Sequence, residues 1–161
     1  MDQRQDSLEG LYRRHGPAVL AYLRARCRDR QAADDLLQDT FVQAADQGEG
    51  IAALRSPRAW LIAVARNLSL MLLRRRRPVE LADDPPSRPQ VAADPRLDQM
   101  RQAVARLPEP FREVLELRLR EELSYGQIAQ VLEIPVGTVR SRLHHAVQRL
   151  RESLLTRRVS P

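Results

Sequence analysis

Three clusters of chemistry-bearing residues stand out along this chain. In the first, "DDLLQD" places Asp34, Asp35 and Asp39 within six residues. Paired carboxylates can perform acid–base catalysis, but no nucleophile, metal-ligand set or glycine-rich phosphate loop accompanies them. Catalysis is therefore set aside. The cluster reads either as a docking surface for a basic partner or as a solvated helix face. The second cluster is the run Arg74, Arg75, Arg76 and Arg77. It could favourably end a helix dipole, yet four adjacent guanidiniums wrap around a helix and repel one another, and a polyanion relieves that repulsion. The third spans "VGTVRSRLHHAVQRL", where Thr138, Arg140, Ser141, Arg142, His144, His145, Gln148 and Arg149 alternate with Val136, Val139, Leu143, Ala146, Val147 and Leu150 at steps of three and four. The apolar set is expected to face inward. The polar set is expected to face out, where arginine can grip guanine bidentately and hydroxyls or amides can position the backbone. His144 and His145 are neighbours that point different ways, so no shared metal is expected. They read as groove or phosphate contacts, or as bystanders. Cys27 is the single cysteine, which excludes a disulfide framework and a cysteine metal cluster and suits core packing. No cofactor is expected.

Composition says what must position these clusters. Alanine, leucine and arginine dominate, aromatics are 4% and glycines number 6 in 161 residues, a profile that predicts an all-α fold. The formal charge is +6 and the chain contains no lysine. Arginine's planar fork suits phosphate and guanine edges, although a base-composition bias in the genome would produce the same swap. No apolar run follows the charged start "MDQRQDSLEG", and none reaches membrane-spanning length without a charge. A cytoplasmic protein without membrane insertion is expected.

Residues 78–95, "PVELADDPPSRPQVAADP", hold five prolines among acidic residues and cannot sustain a helix or bury a core. They are expected to form a flexible linker between two small helical domains, 7–77 and 96–156. In the first, Ser7 can cap a helix that Gly16 and Pro17 should kink or break. A second helix over "DRQAADDLLQDTFVQAADQ" turns Ala33, Leu36, Leu37, Thr40, Phe41 and Ala44 to one face. Ser56 and Pro57 start a third that can run to Arg77. In the C-terminal block, one helix carries Leu97, Met100, Val104 and Leu107, and another begins near Pro110. Ser124 and Gln127 then form a capping box for a short helix burying Ile128, Val131 and Leu132, with Ala129 permitting close approach. "EIP" is the turn into the last helix. Together the final two helices read as a helix-turn-helix, a unit that presents its second helix to the major groove.

The segment "IPVGTVRSRLHHAVQRLR" resembles the promoter-recognition helix of extracytoplasmic-function (ECF) sigma factors, within the sigma-70 family. "LPEPFREVLELRLREELSYGQIAQVL" resembles the segment before it. "AADDLLQDTFVQA" and "SPRAWLIAVARNLSLMLLRRRR" resemble the family's N-terminal block, so the similarity covers nearly the whole chain in the family's order. The resemblance implies that Asp34, Asp35, Leu36, Leu37, Gln38, Asp39 and Phe41 dock on the β′ clamp helices of bacterial core RNA polymerase. It implies minus-ten promoter contacts for Arg55, Arg58, Trp60, Arg66, Asn67 and Arg74 to Arg77, although Trp60 lies in an apolar run and reads equally as core. The last helix would read the minus-thirty-five element, and the linker would thread through polymerase. The β flap and an anti-sigma factor are further implied partners.

Three positions depart from the family pattern. Met71 stands where aspartate is common, Gln127 replaces a frequent glutamate, and Glu133 stands where glycine is frequent. Glu133 must then hold a glycine-type turn despite its β-carbon. The function expected is that of a sigma factor without catalysis of its own. A helix-turn-helix regulator that binds an operator unaided explains residues 124–150 equally well, but not the acidic helix and arginine tail.

Overall fold

The computed structural model describes residues 3–51, 53–76 and 94–158, the side chains of 3–7, 76, 157 and 158 excepted. Among them seven α-helices and one 3-10 turn occur, without a strand. Two compact units divide the chain, residues 1–86 and 87–161. The proline-rich segment falls outside the described residues, apart from Asp94 and Pro95.

In the first unit, α1 (Gln3–Arg26), α2 (Arg30–Gln47) and α3 (Pro57–Arg76) pack pairwise on one another. α1 begins upstream of Ser7 and continues through Pro17 as one helix, so that of the kink or break expected there the break does not occur. A proline in a helix removes one N–H bond, here to the Arg13 carbonyl. Both Arg13 and Pro17 are exposed, so water can serve that carbonyl, while buried Val19, Tyr22 and Leu23 hold the opposite face to the core. Asp29 caps α2 by accepting from the Gln31 N–H at 3.0 Å. Leu36, Leu37, Phe41 and Ala44 then meet Leu61, Ile62 and Ala65 of α3 in the core, all under 10% exposed. Thr40, fully buried, satisfies its hydroxyl by donating to the Leu36 carbonyl at 2.7 Å.

The α2–α3 connection is tightly built. Gly48 takes φ +61 with ψ −138, a conformation that essentially only glycine adopts. The 3-10 turn Gly48–Gly50 follows, Ile51 is buried beneath it, and Leu54 N–H returns to the Ile51 carbonyl at 3.1 Å. Ser56 Oγ accepts from Ala59 N–H at 3.1 Å, the expected cap with Pro57 at the first helical position.

In the second unit, α4 (Pro95–Ala105), α5 (Glu109–Leu119) and α6 (Tyr125–Leu132) surround α7 (Val136–Arg158). α4 starts at Pro95 because Asp94 caps it, accepting from Arg96 N–H at 3.0 Å. It buries Ala103 and is followed by buried Leu107, while Leu97 and Met100 are exposed. Val114, Leu117, Leu123, Ile128 and Val139 form the fully buried centre. The capping box of α6 is present: Ser124 Oγ accepts from Gln127 N–H at 3.2 Å, and Gln127 Oε1 accepts from Ser124 N–H at 2.8 Å.

Candidate docking and nucleic-acid faces

The acidic cluster is divided by the helix that carries it. On α2, Leu36, Leu37 and Phe41 are core side chains at 6–7% exposure, which leaves Asp35, Gln38 and Asp39 as the exposed positions. Asp34 is half-buried and accepts from the Arg24 guanidinium at 3.4 Å. Asp35 accepts from Gln31 Nε2 at 3.0 Å. Helical spacing adds Val42, 58% exposed, to the stripe of Asp35, Gln38 and Asp39. The sequence reading passed over this apolar residue because the pattern fixes only which face is buried.

The residues expected at the minus-ten element occupy the α2–α3 loop and α3. Arg55 is exposed in the loop beside exposed Leu54. Arg58, Trp60 and Arg66 are half-buried, and Asn67 is exposed. Arg74 and Arg75 are exposed at the end of α3. The Arg76 side chain and all of Arg77 lie outside the described residues. Burial and the charges of Arg14 and of Arg58, itself one of these residues, hold the His15 imidazole below its ordinary pKa.

The helix-turn-helix is closed by a left-handed residue. Glu133 has φ 54 and ψ 45, and it sits at the position where a Schellman motif favours glycine: Ile134 N–H reaches the Ala129 carbonyl at 3.1 Å and Glu133 N–H the Gln130 carbonyl at 3.4 Å. From this turn α7 sends Val139, Leu143 and Ala146 into the core. Val136 and Val147, expected inside, are 42% and 40% exposed. They lie on the flank of the apolar stripe, and a periodic pattern gives the centre of a stripe better than its edges. Arg140, Ser141, His144, His145, Gln148 and Arg149 are exposed, and Thr138 and Arg142 are half-buried. The exposed set divides further. Arg149 lies over the Phe111 ring of α5, its guanidinium carbon 5.0 Å from the centroid, and His145 stands 6.1 Å from the same ring. Arg140, Ser141, His144 and Gln148 therefore share the face turned away from α5.

Two further residues gather at the start of α6. The turn before it contains Glu122 at φ 53, and it brings Arg118 back so that Nη1 donates to the Leu123 carbonyl at 3.0 Å. The guanidinium carbon then stands 5.5 Å from the Tyr125 ring centroid. No sequence signal marked this pair, since a glutamate stands at the left-handed position that glycine would have announced. Among the described residues there is no group of three or more His, Cys, Asp or Glu able to hold a metal, and no helix long and apolar enough to cross a membrane.

Comparison with known proteins supplies the remaining observation. Residues 11–79 match the family model of sigma-70 region 2, and residues 97–150 that of sigma-70 region 4. The chain is 30% identical to the RNA polymerase sigma factor YlaC of Bacillus subtilis over 93% of each chain. It is 33% identical to the ECF sigma factor SigL of Mycobacterium tuberculosis, over 91% of this chain and 88% of that one. Among solved structures, that of CnrH with the cytosolic domain of CnrY is similar at TM-score 0.66 and 28% identity, covering 98% of this chain and 92% of that one. The sigma factor RpoE in its co-crystal with the anti-sigma factor NepR from Bartonella quintana shares the fold, with TM-score 0.69 and 23% identity over 98% of each chain.

Proposed function

Because the chain belongs to the sigma-70 family as an ECF-type RNA polymerase sigma factor, we propose that its first unit docks on core polymerase and engages the minus-ten element while its second reads the minus-thirty-five element as duplex. Such a factor directs core polymerase to specific promoters. The observation that carries the assignment is the ordered pair of matches, region 2 over 11–79 and region 4 over 97–150. An operator-binding regulator would account for the second unit alone and leaves the region 2 match without a role.

Within this reading, exposed Asp35, Gln38, Asp39 and Val42 supply the polymerase contact, and Leu36, Leu37 and Phe41 act by shaping the helix that presents them. Arg55, Asn67, Arg74 and Arg75 supply contacts to melted or duplex promoter DNA. Arg140, Ser141, His144 and Gln148 face base edges in the major groove, while Arg118 and Tyr125 contact the phosphate backbone beside it. The domain boundaries are those of the sequence reading, 7–77 and 96–156 with residues 78–95 as linker. The factor works in the cytoplasm, has no catalytic activity of its own, and is restrained by an anti-sigma protein, a kind of partner seen with the similar RpoE from Bartonella quintana.

Run-off transcription with purified bacterial core polymerase tests the proposal. Promoter-specific transcripts should appear only when the chain is added. Tight, specific DNA binding without any effect on where core polymerase starts transcription would replace this reading with that of a regulator.

A further inference from the structure

Beside the acidic face of α2 runs a groove of about 330 Å3, bounded on its other side by the C-terminal half of α3. Asp35 and Asp39 line one wall; Leu68, Met71, Leu72 and Arg75 line the other. The latter four follow the spacing i, i+3, i+4, i+7 and so form one stripe along α3. Met71 is 48% exposed, and Leu68 and Leu72 are half-buried. Isolated exposed apolar residues are ordinary, but exposed Met71 with half-buried Leu68 and Leu72 beside it, facing carboxylates across a groove, makes a composite surface. A flexible thioether is well suited to receive a partner's apolar side chain. The groove also continues directly from the exposed face of α2, sharing Asp35 and Asp39 with it.

We infer that the polymerase-docking face extends from α2 across this groove onto α3, where Met71 and Leu72 receive an apolar side chain from a polymerase helix whose basic side chains meet Asp35 and Asp39. This rests on the reading that α2 docks on core polymerase. It gives Met71, which replaces a common aspartate, a part in polymerase affinity and not in promoter contact. The occupant follows from charge. Along the groove three carboxylates, Asp29, Asp35 and Asp39, stand against the single cation Arg75, so the helix that fills it carries an apolar anchor flanked by arginine or lysine on the α2 side.

The test is a titration of core polymerase into the labelled full chain in the absence of DNA, with circular dichroism to verify that each variant is folded. Met71→Arg, which places a cation where a basic helix must approach, should weaken binding about tenfold, or about 1.4 kcal/mol. Met71→Leu should stay within about twofold of the parent. Wild-type affinity for folded Met71→Arg, together with weakened binding by the Asp35→Arg, Asp39→Arg pair, overturns the extension onto α3 while sparing the docking role of α2. If that pair also binds normally, the docking role itself fails. Loss of self-association by Met71→Arg with core affinity unchanged would make the groove a contact between copies of the chain, and the inference wrong.

Discussion

Glu133 accepts a backbone conformation that penalises a β-carbon, because the Schellman hydrogen bonds from Glu133 and Ile134 close α6 at that point. Left-handed geometry costs a non-glycine residue about 1–2 kcal/mol, of which glycine's greater freedom in the unfolded chain returns a part. Glu133→Gly should therefore stabilise the protein by about 1 kcal/mol; a urea midpoint that stays put or falls would contradict this. His15 poses an electrostatic question. Burial first, and then Arg14 and Arg58, disfavour its protonated form in the folded state. The unfolded chain thus binds the proton more readily, and stability present above the ordinary histidine value is lost as pH falls through the lowered one. His15→Gln should flatten that part of the stability–pH curve, and an unaltered slope in pH-resolved urea titrations would remove His15 as its source. On the outward face of α7, Arg140→Ala should weaken promoter binding by about 1–3 kcal/mol and relax base preference if the side chain grips a base edge. Competition binding against mismatched duplexes measures both effects.

Helix starts were legible because they are local. Ser56 with Pro57 at the first helical position, and Ser124 with Gln127, satisfy nearby amides with side chains a few residues away, so residue type and spacing alone reveal them; the Asp29 cap of α2 is equally local but was not read. Removing such a cap by Ser124→Ala should cost about 1 kcal/mol, read as a lower urea midpoint of the full chain. What sequence could not supply depended on neighbours distant along the chain. Val136 and Val147 fit the apolar pattern of α7, yet their exposure is decided by where α4, α5 and α6 lie against it. Pro17 reads as a helix breaker, but the packing of Val19, Tyr22 and Leu23 outweighs one missing hydrogen bond. The acidic cluster was legible as a cluster. Its division into buried leucines and exposed carboxylates was equally implicit in the helical period, whereas the groove beside it requires α3 in place.

At the scale of the whole molecule, each unit has its own buried centre, Leu23, Leu61 and Ile62 in one and Leu117, Ile128 and Val139 in the other. A separation of tasks between polymerase docking and duplex reading is therefore compatible with how the chain buries its apolar surface. α7 adds a mechanical consequence. At 1.5 Å per residue its 23 residues make a rod about 34 Å long. Its N-terminal portion carries Arg140, Ser141 and His144, while Arg149, Glu152, Ser153 and Thr156 border a cleft with Ala103 and Leu107. The groove-reading face and that cleft therefore stand near opposite ends of one continuous rod, which Val139, Leu143 and Ala146 pin to the core between them.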